Sequence, residues 1–225
     1  MSMSPHIEEL CNRVEQILDA GGDEAAIPLL RQIAESGDAW GQYMLGLAYH
    51  YGNGVRRSRV QAEKWYRTAA AQSYDSALLN LGLLYATSRP PRYDQAFQNF
   101  QRAARSGNRN AMYNLGMYYE LGRHVKVNLR TSFKWYLRAA ELGDGDAQCF
   151  VGYCYHEGRG VRRDDELAVH WYRKSARRQN SAACFNLGRC YLEGDGVRQN
   201  TRLARRWFRK AIKLGNERAV KPLET

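Results

Sequence analysis

The sequence predicts an all-α fold, a solenoid of about six helical hairpins, and three observations predict it. The glycine of a Leu-Gly or Val-Gly step recurs at Gly46, Gly82, Gly116, Gly152 and Gly188, at spacings of 36, 34, 36 and 36 residues. A Trp-Tyr or Trp-Phe step recurs at Trp65, Trp135, Trp171 and Trp207, with Asn99-Phe100 at the matching place in one repeat. From this second marker to the next glycine the distance is always 17 residues. A fixed period of this length over most of a chain is the signature of stacked supersecondary units.

The elements follow in order. Stepping back from Gly46 by 17 and then 19 residues gives Leu29 and Leu10. Ala25–Gly37 keeps the small residues of the repeat without its marker glycine and Trp, so residues 1–36 read as a degenerate N-terminal capping repeat. Five full repeats follow at about 37–74, 75–108, 109–144, 145–180 and 181–215, and 216–225 is a tail in which Pro222 and the charges look like a cap.

Within a repeat, positions are counted from the small residue that opens the first helix: Gly41, Ala77, Ala111, Ala147 and Ala183. Apolar or small residues at positions 1, 5, 8 and 9 predict the packed stripe. Position 9 is always tyrosine (Tyr49, Tyr85, Tyr119, Tyr155, Tyr191), read as a core ring whose hydroxyl reaches a polar partner near the turn. The glycine at position 6 predicts a close backbone approach, since glycine inside a helix costs about 1 kcal/mol against alanine.

A Gly-x-Gly-Val turn follows at Gly52–Val55, Gly158–Val161 and Gly194–Val197, its glycine ending the helix with positive φ. The spacing lacks the Lys-Ser/Thr of a phosphate loop. Two repeats depart from this turn, with ATSRPPRYD at 86–94 and LGRHVKV at 121–127. The second helix reads A-x-x-W-Y-x-x-A-A. Its small residues allow close packing, and its Trp is the expected source of core area.

Hydrophobic residues make up 44% of 225, enough for a continuous core, and no apolar run approaches the length of a membrane span. The start lacks the basic and apolar regions of a secretory signal. Five cysteines, an odd number without zinc-knuckle spacing, read as core thiols in a reducing, cytoplasmic setting. The net charge of +11 is uneven: −6 over residues 1–50, +7 over 51–158 and +10 over 159–225. Such polarity also allows head-to-tail self-association.

The small residue, Leu-Gly, Tyr, Gly-x-Gly-Val, A-x-x-W-Y-x-x-A-A and closing Gly together resemble the Sel-1-like repeat (SLR), a relative of the tetratricopeptide repeat. The resemblance covers about residues 37–215 and implies antiparallel helix pairs in a right-handed α–α superhelix. It also implies an adaptor, regulator or effector-neutralising partner that binds other proteins. A cysteine-rich branch of this superfamily, linked to β-lactam hydrolysis, carries a Cys pair seven residues apart in each repeat. This chain lacks that pair, and a hydrolase is the third reading.

First helices line the inner surface of a solenoid. Positions 3, 7 and 10 point away from the expected stripe and are unusually apolar. They carry Tyr43, Leu79, Tyr113 and Phe185 at position 3, and Leu47, Leu83, Met117, Tyr153 and Arg189 at position 7. Position 10 carries His50, Glu120 and His156. Such a row suits a protein-binding groove, or it packs against the neighbouring first helix. Asn80, Asn114 and Asn186 at position 4 suit a peptide backbone or carbonyls of neighbouring helices. No catalytic, cofactor or metal signature accompanies the five histidines.

The runner-up reading is a polyanion or nucleic-acid binder. It would use a basic surface of Arg162, Arg163, Arg177, Arg178, Arg198, Arg202, Arg205 and Arg206. An acidic patch on a protein partner would meet the same charge.

Overall fold

A computed structural model describes residues 5–221. The chain forms two compact units, one up to Asn108 and one from Arg109 onward. In the first, α1 (Pro5–Asp19) pairs with α2 (Asp23–Glu35), α3 (Ala39–Tyr51) with α4 (Arg59–Ala71), and α5 (Asp75–Ala86) with α6 (Tyr93–Arg105). In the second, α7 (Arg109–Leu121) pairs with α8 (Leu129–Glu141), α9 (Gly145–Glu157) with α10 (Asp165–Arg177), and α11 (Ser181–Glu193) with α12 (Thr201–Lys213). A short 3-10 turn, Glu217–Ala219, follows. Within each unit the second helix of a hairpin also packs on the first helix of the next. The expected cap at Pro222 lies outside the described residues.

Helix starts follow local chemistry. Ser58, Asn128, Asp164 and Asn200 each accept a hydrogen bond from the backbone N–H three residues on, at 2.9–3.3 Å, and so begin α4, α8, α10 and α12. Asp38, Asp144 and Asn180 do the same for α3, α9 and α11. A cap of this kind contributes about 1 kcal/mol. In all five full repeats the backbone N–H preceding the second helix donates to the carbonyl of the position-9 tyrosine. These bonds run Ser58–Tyr49, Arg92–Tyr85, Asn128–Tyr119, Asp164–Tyr155 and Asn200–Tyr191, at 2.7–3.0 Å.

At the core of each of the five full repeats one ring lies against one glycine. Tyr66, Phe100, Tyr136, Tyr172 and Phe208 are buried, and each lies over the position-6 glycine of its own hairpin. A Cβ on Gly46, Gly82, Gly116, Gly152 or Gly188 would stand 2.4–2.8 Å from that ring. Burying such a ring is worth about 1.5–3 kcal/mol. That exceeds the roughly 1 kcal/mol the glycine costs its helix.

The expected core register needs three corrections. Position 2 (Gln42, Leu78, Met112, Gln148, Cys184) is buried where position 9 was expected, and of the five tyrosines only Tyr85 is. The hydroxyls of Tyr49, Tyr85 and Tyr191 find their partner on the preceding helix and not at the turn, accepting from Arg31, Arg67 and Arg173. The residue after each Trp fills the core. Trp65, Trp135 and Trp207 are half-buried, under Lys64, Arg138 and Lys210, and only Trp171 is buried. A ring one position along a helix is turned by roughly 100°, which moves it off the glycine-facing side.

A separate correction concerns the turn at 121–127. It keeps the expected geometry, with Gly122 at φ +67° and His124 at φ +63° in the place of the second glycine. A non-glycine residue there accepts an uncommon left-handed conformation. Only the turn of the second repeat departs, shortened by two residues, with Ser88 buried and bonded to the Tyr85 and Pro90 carbonyls.

Candidate functional site

The residues expected to form a groove separate into those that serve the fold and those that stay open. At position 3, Tyr43 stacks beside Tyr66 and Tyr74, Tyr113 meets Tyr136 edge-on at 5.2 Å, and Phe185 packs on Phe208 at 5.8 Å. Leu79 is half-buried. Burial raises the phenol pKa of Tyr43, and burial with Asp146 and Asp144 nearby pushes Tyr113 up to about 12, so both hydroxyls stay protonated.

The amides of position 4 bond within their own unit. Asn80 donates to the Tyr43 hydroxyl at 3.3 Å and Asn114 to the Asn110 carbonyl of its own helix at 2.7 Å. Asn186 lies a long 3.9 Å from the Cys149 sulfur.

Position 10 closes the hairpin core. His50 Nδ1 sits 3.3 Å from the Tyr66 hydroxyl. Burial, then Arg57 and Arg59, lower the His50 pKa, so it is held neutral. Glu120 accepts from the Tyr136 hydroxyl at 3.0 Å and from Arg159 at 2.9 Å, and Arg159 covers the Tyr153 ring. His156 turns instead to Asp165, with Nδ1 3.0 Å from its carboxylate. Burial opposes ionisation of Asp165, but the hydrogen bonds from Arg163 and His156 outweigh it and hold its pKa low.

Position 7 is the most open of the row, with Leu83 37% exposed and Leu47, Met117, Tyr153 and Arg189 half-buried. In the first unit Leu47 borders an apolar cleft of about 280 Å³ with Ile27, Leu30 and Met44. In the second unit Tyr153, His156, Phe185, Asn186 and Arg189 line a cavity of about 290 Å³. Two further wall residues, Tyr172 and Arg218, were not among the expected site residues. Tyr172 belongs to the core ring series of the second helices, and Arg218 lies beyond the last repeat. Only a comparison of position 10 between repeats would have singled out the tyrosine.

The basic surface is uneven too. Arg163 pairs with Asp165 at 2.8 Å, and Arg178 lies over Gly143. Arg162, Arg177 and Arg198 are exposed. Arg202, Arg205 and Arg206 lie with Arg209 on the exposed side of α12, opposite Ala204, Phe208 and Ala211, and among the described residues none of the four has an acidic partner. The thiols of Cys149, Cys154 and Cys190 are pushed up to about 12, chiefly by burial, so they are not nucleophilic thiolates at neutral pH.

Among the described residues no cluster of His, Cys, Asp and Glu is placed to hold a metal ion. Nor is any helix there long and apolar enough to cross a membrane.

The Sel1 repeat family model matches residues 41–74, 75–108, 109–144, 145–180 and 181–216. The chain is similar to the chitin synthase regulator SKT5 of Saccharomyces cerevisiae, at 31% identity over 51% of this chain and 17% of that protein. It therefore spans about a sixth of that relative's length. Among solved structures it is similar to c5321, a protective antigen of uropathogenic Escherichia coli with an SLR fold. Identity there is 40% and the TM-score 0.82, over 86% of this chain and 42% of that one. A Sel1 repeat protein from Oxalobacter formigenes superposes at TM-score 0.85 and 28% identity, over 96% of this chain and 87% of that one.

Proposed function

The chain belongs to the Sel1 repeat family, whose members are typically protein-interaction modules, and from that premise we propose that it is a non-catalytic adaptor or regulator. It binds a protein or peptide segment on the first-helix faces. The observation that carries this reading is the position-7 row within each unit: Leu47 and Leu83 in the first and Met117 and Tyr153 in the second keep part of their apolar surface open, and Tyr51 and Leu121 at the ends of α3 and α7 are exposed as well. A face that only met water would carry Lys and Glu there, and exposed apolar surface within a unit marks interaction sites. The names of relatives point the same way, one a chitin synthase regulator and one a component of an ERAD-associated ubiquitin ligase. The basic balance of the C-terminal half favours a partner with acidic patches.

The test is capture from source-cell lysate at about 150 mM salt, with nuclease present, comparing wild type with Leu83→Asp and Lys134→Glu. A protein partner retained by wild type and by Lys134→Glu, and lost with Leu83→Asp at an unchanged melting temperature, is the expected result. Equal retention by all three would refute the face.

A second reading has one observation in its favour, the unpaired arginine row on α12. Were that row the functional surface, a polyanion would be bound with an affinity falling steeply with salt, and Arg205→Ala with Arg206→Ala would flatten the slope.

A further inference from the structure

The tyrosines of three second helices occupy the same place, yet their hydroxyls differ. Tyr66 meets His50 and Tyr136 meets Glu120, each through the position-10 residue of its own hairpin. In the next hairpin that residue is His156, which is turned to Asp165. Tyr172 is 2% exposed, and among the described residues its hydroxyl has no hydrogen-bond partner. It is not sealed in the core, because it stands at the wall of the cavity between α9, α11 and the 3-10 turn. Burial, then Cys149 and Cys190, raise its pKa, so at neutral pH it is an O–H donor. A hydroxyl at a cavity wall with no partner in the fold is free to donate to a ligand.

The rest of the wall says what the ligand is. Arg189 faces the same space, and among the described residues its one ion pair, with Glu193, is long, at 3.4 Å on both nitrogens. Arg218 lines the cavity, and among the described residues it has no ion pair. The Asn186 amide adds a donor held only by the distant Cys149 sulfur. Phe185 supplies an apolar wall. One acid, Glu157, also borders the space, so two guanidinium groups face one carboxylate there. A volume of about 290 Å³ is at the lower edge for a small-molecule site, which suits an anchor for one residue of a longer chain.

We propose that this cavity is a carboxylate pocket, in which Tyr172 and Arg189 hold the carboxylate of a partner polypeptide and Arg218 closes over it. The inference rests on the protein-binding reading above and names the chemistry recognised at one end of the face. A carboxylate accepts two donors side by side, and charge-assisted hydrogen bonds of this kind are about twice as strong as neutral ones. The carboxylate has two sources, an Asp or Glu side chain and a peptide C-terminus.

The probes are acetylated peptides with randomised positions around one fixed residue, Asp, Glu, Asn or Gln, each made as free acid and as C-terminal amide. Binding to the whole chain is read by fluorescence polarisation. Binding of Asp or Glu amides over their Asn and Gln counterparts assigns the side chain. Binding of free acids over amides whatever the fixed residue assigns the terminus. In either case Arg189→Gln weakens binding about tenfold or more, and Tyr172→Phe weakens it without lowering the melting temperature. Equal binding of acidic and neutral peptides, unchanged by Arg189→Gln, overturns the carboxylate pocket and leaves the protein-binding reading standing. No binding by any peptide, while the lysate partner is still captured through Leu83, likewise overturns the pocket alone. Failure of both experiments overturns both readings.

Discussion

The α7–α8 and α9–α10 hairpins share one core arrangement. Each lays a buried tyrosine over a glycine, Tyr136 on Gly116 and Tyr172 on Gly152, with a Cβ-to-ring distance of 2.8 and 2.6 Å for the missing methyl group. They part at the hydroxyl. In the first, Glu120 takes it and adds Arg159, so the polar end of the ring is closed. In the second, the hydroxyl is left to a cavity. The repeat core and its chemistry are thus set by different residues. Glycine and ring make the hairpin, and position 10 decides whether the ring's polar end is available.

The largest expected effect tests the shared part. Gly116→Ala and Gly152→Ala each place a methyl group inside the contact distance of a packed ring. Overpacking of this kind costs about 1–3 kcal/mol, which outweighs the gain in helix propensity of up to about 1 kcal/mol. Both variants should unfold at lower urea concentration and by similar amounts. A stabilised variant would mean that the ring moves aside freely and that the glycine is not a packing residue.

The next effect is smaller and separates the two hairpins. Tyr136→Phe removes a bond to a half-buried carboxylate and should cost about 1.5 kcal/mol. Tyr172→Phe removes a hydroxyl without a partner and should change stability by less than about 0.5 kcal/mol. Equal losses in chemical denaturation would erase the distinction between the hairpins.

The smallest effect extends the comparison to His50, which closes Tyr66 in the first unit. Its pKa in the fold is lowered, by burial first and by Arg57 and Arg59 next. The unfolded chain therefore binds the proton more readily, and stability falls as pH drops through the usual histidine value of about 6.5. The loss ceases below the folded pKa, where both states are protonated. Melting temperatures at pH 7.5 and 5.5 should differ more in wild type than in His50→Gln. An identical shift would show that other groups carry the pH dependence.

The sequence makes the hairpins, their period and the close approach at position 6 legible, because those depend on residue size at fixed spacing. It misassigns the ring. Trp and Tyr are both large and adjacent, and only the angle of the helix decides which faces the glycine. It also overstates the departure at 121–127, since His124 adopts the left-handed conformation that a glycine would. The first-helix row was legible as apolar, but its division was not. Whether Asn80 bonds inside the stack depends on its distance to Tyr43 of the repeat before, which no single repeat encodes. The cavity was half legible, with five of its eleven wall residues among the expected site residues and six outside them.

The bond from the start of each second helix to the position-9 tyrosine carbonyl has a further consequence. It spans nine residues in four repeats, as from Tyr49 to Ser58, and seven in one, from Tyr85 to Arg92, yet it closes in each. The loop between those anchors therefore behaves as a cassette. Its length can change by two residues while the bond that anchors both helices still forms. What the cassette keeps is its inner side, where Gly54 lies against the Asp23 backbone of the preceding helix and Val55 packs on the core, so a grafted segment has to leave those two contacts in place.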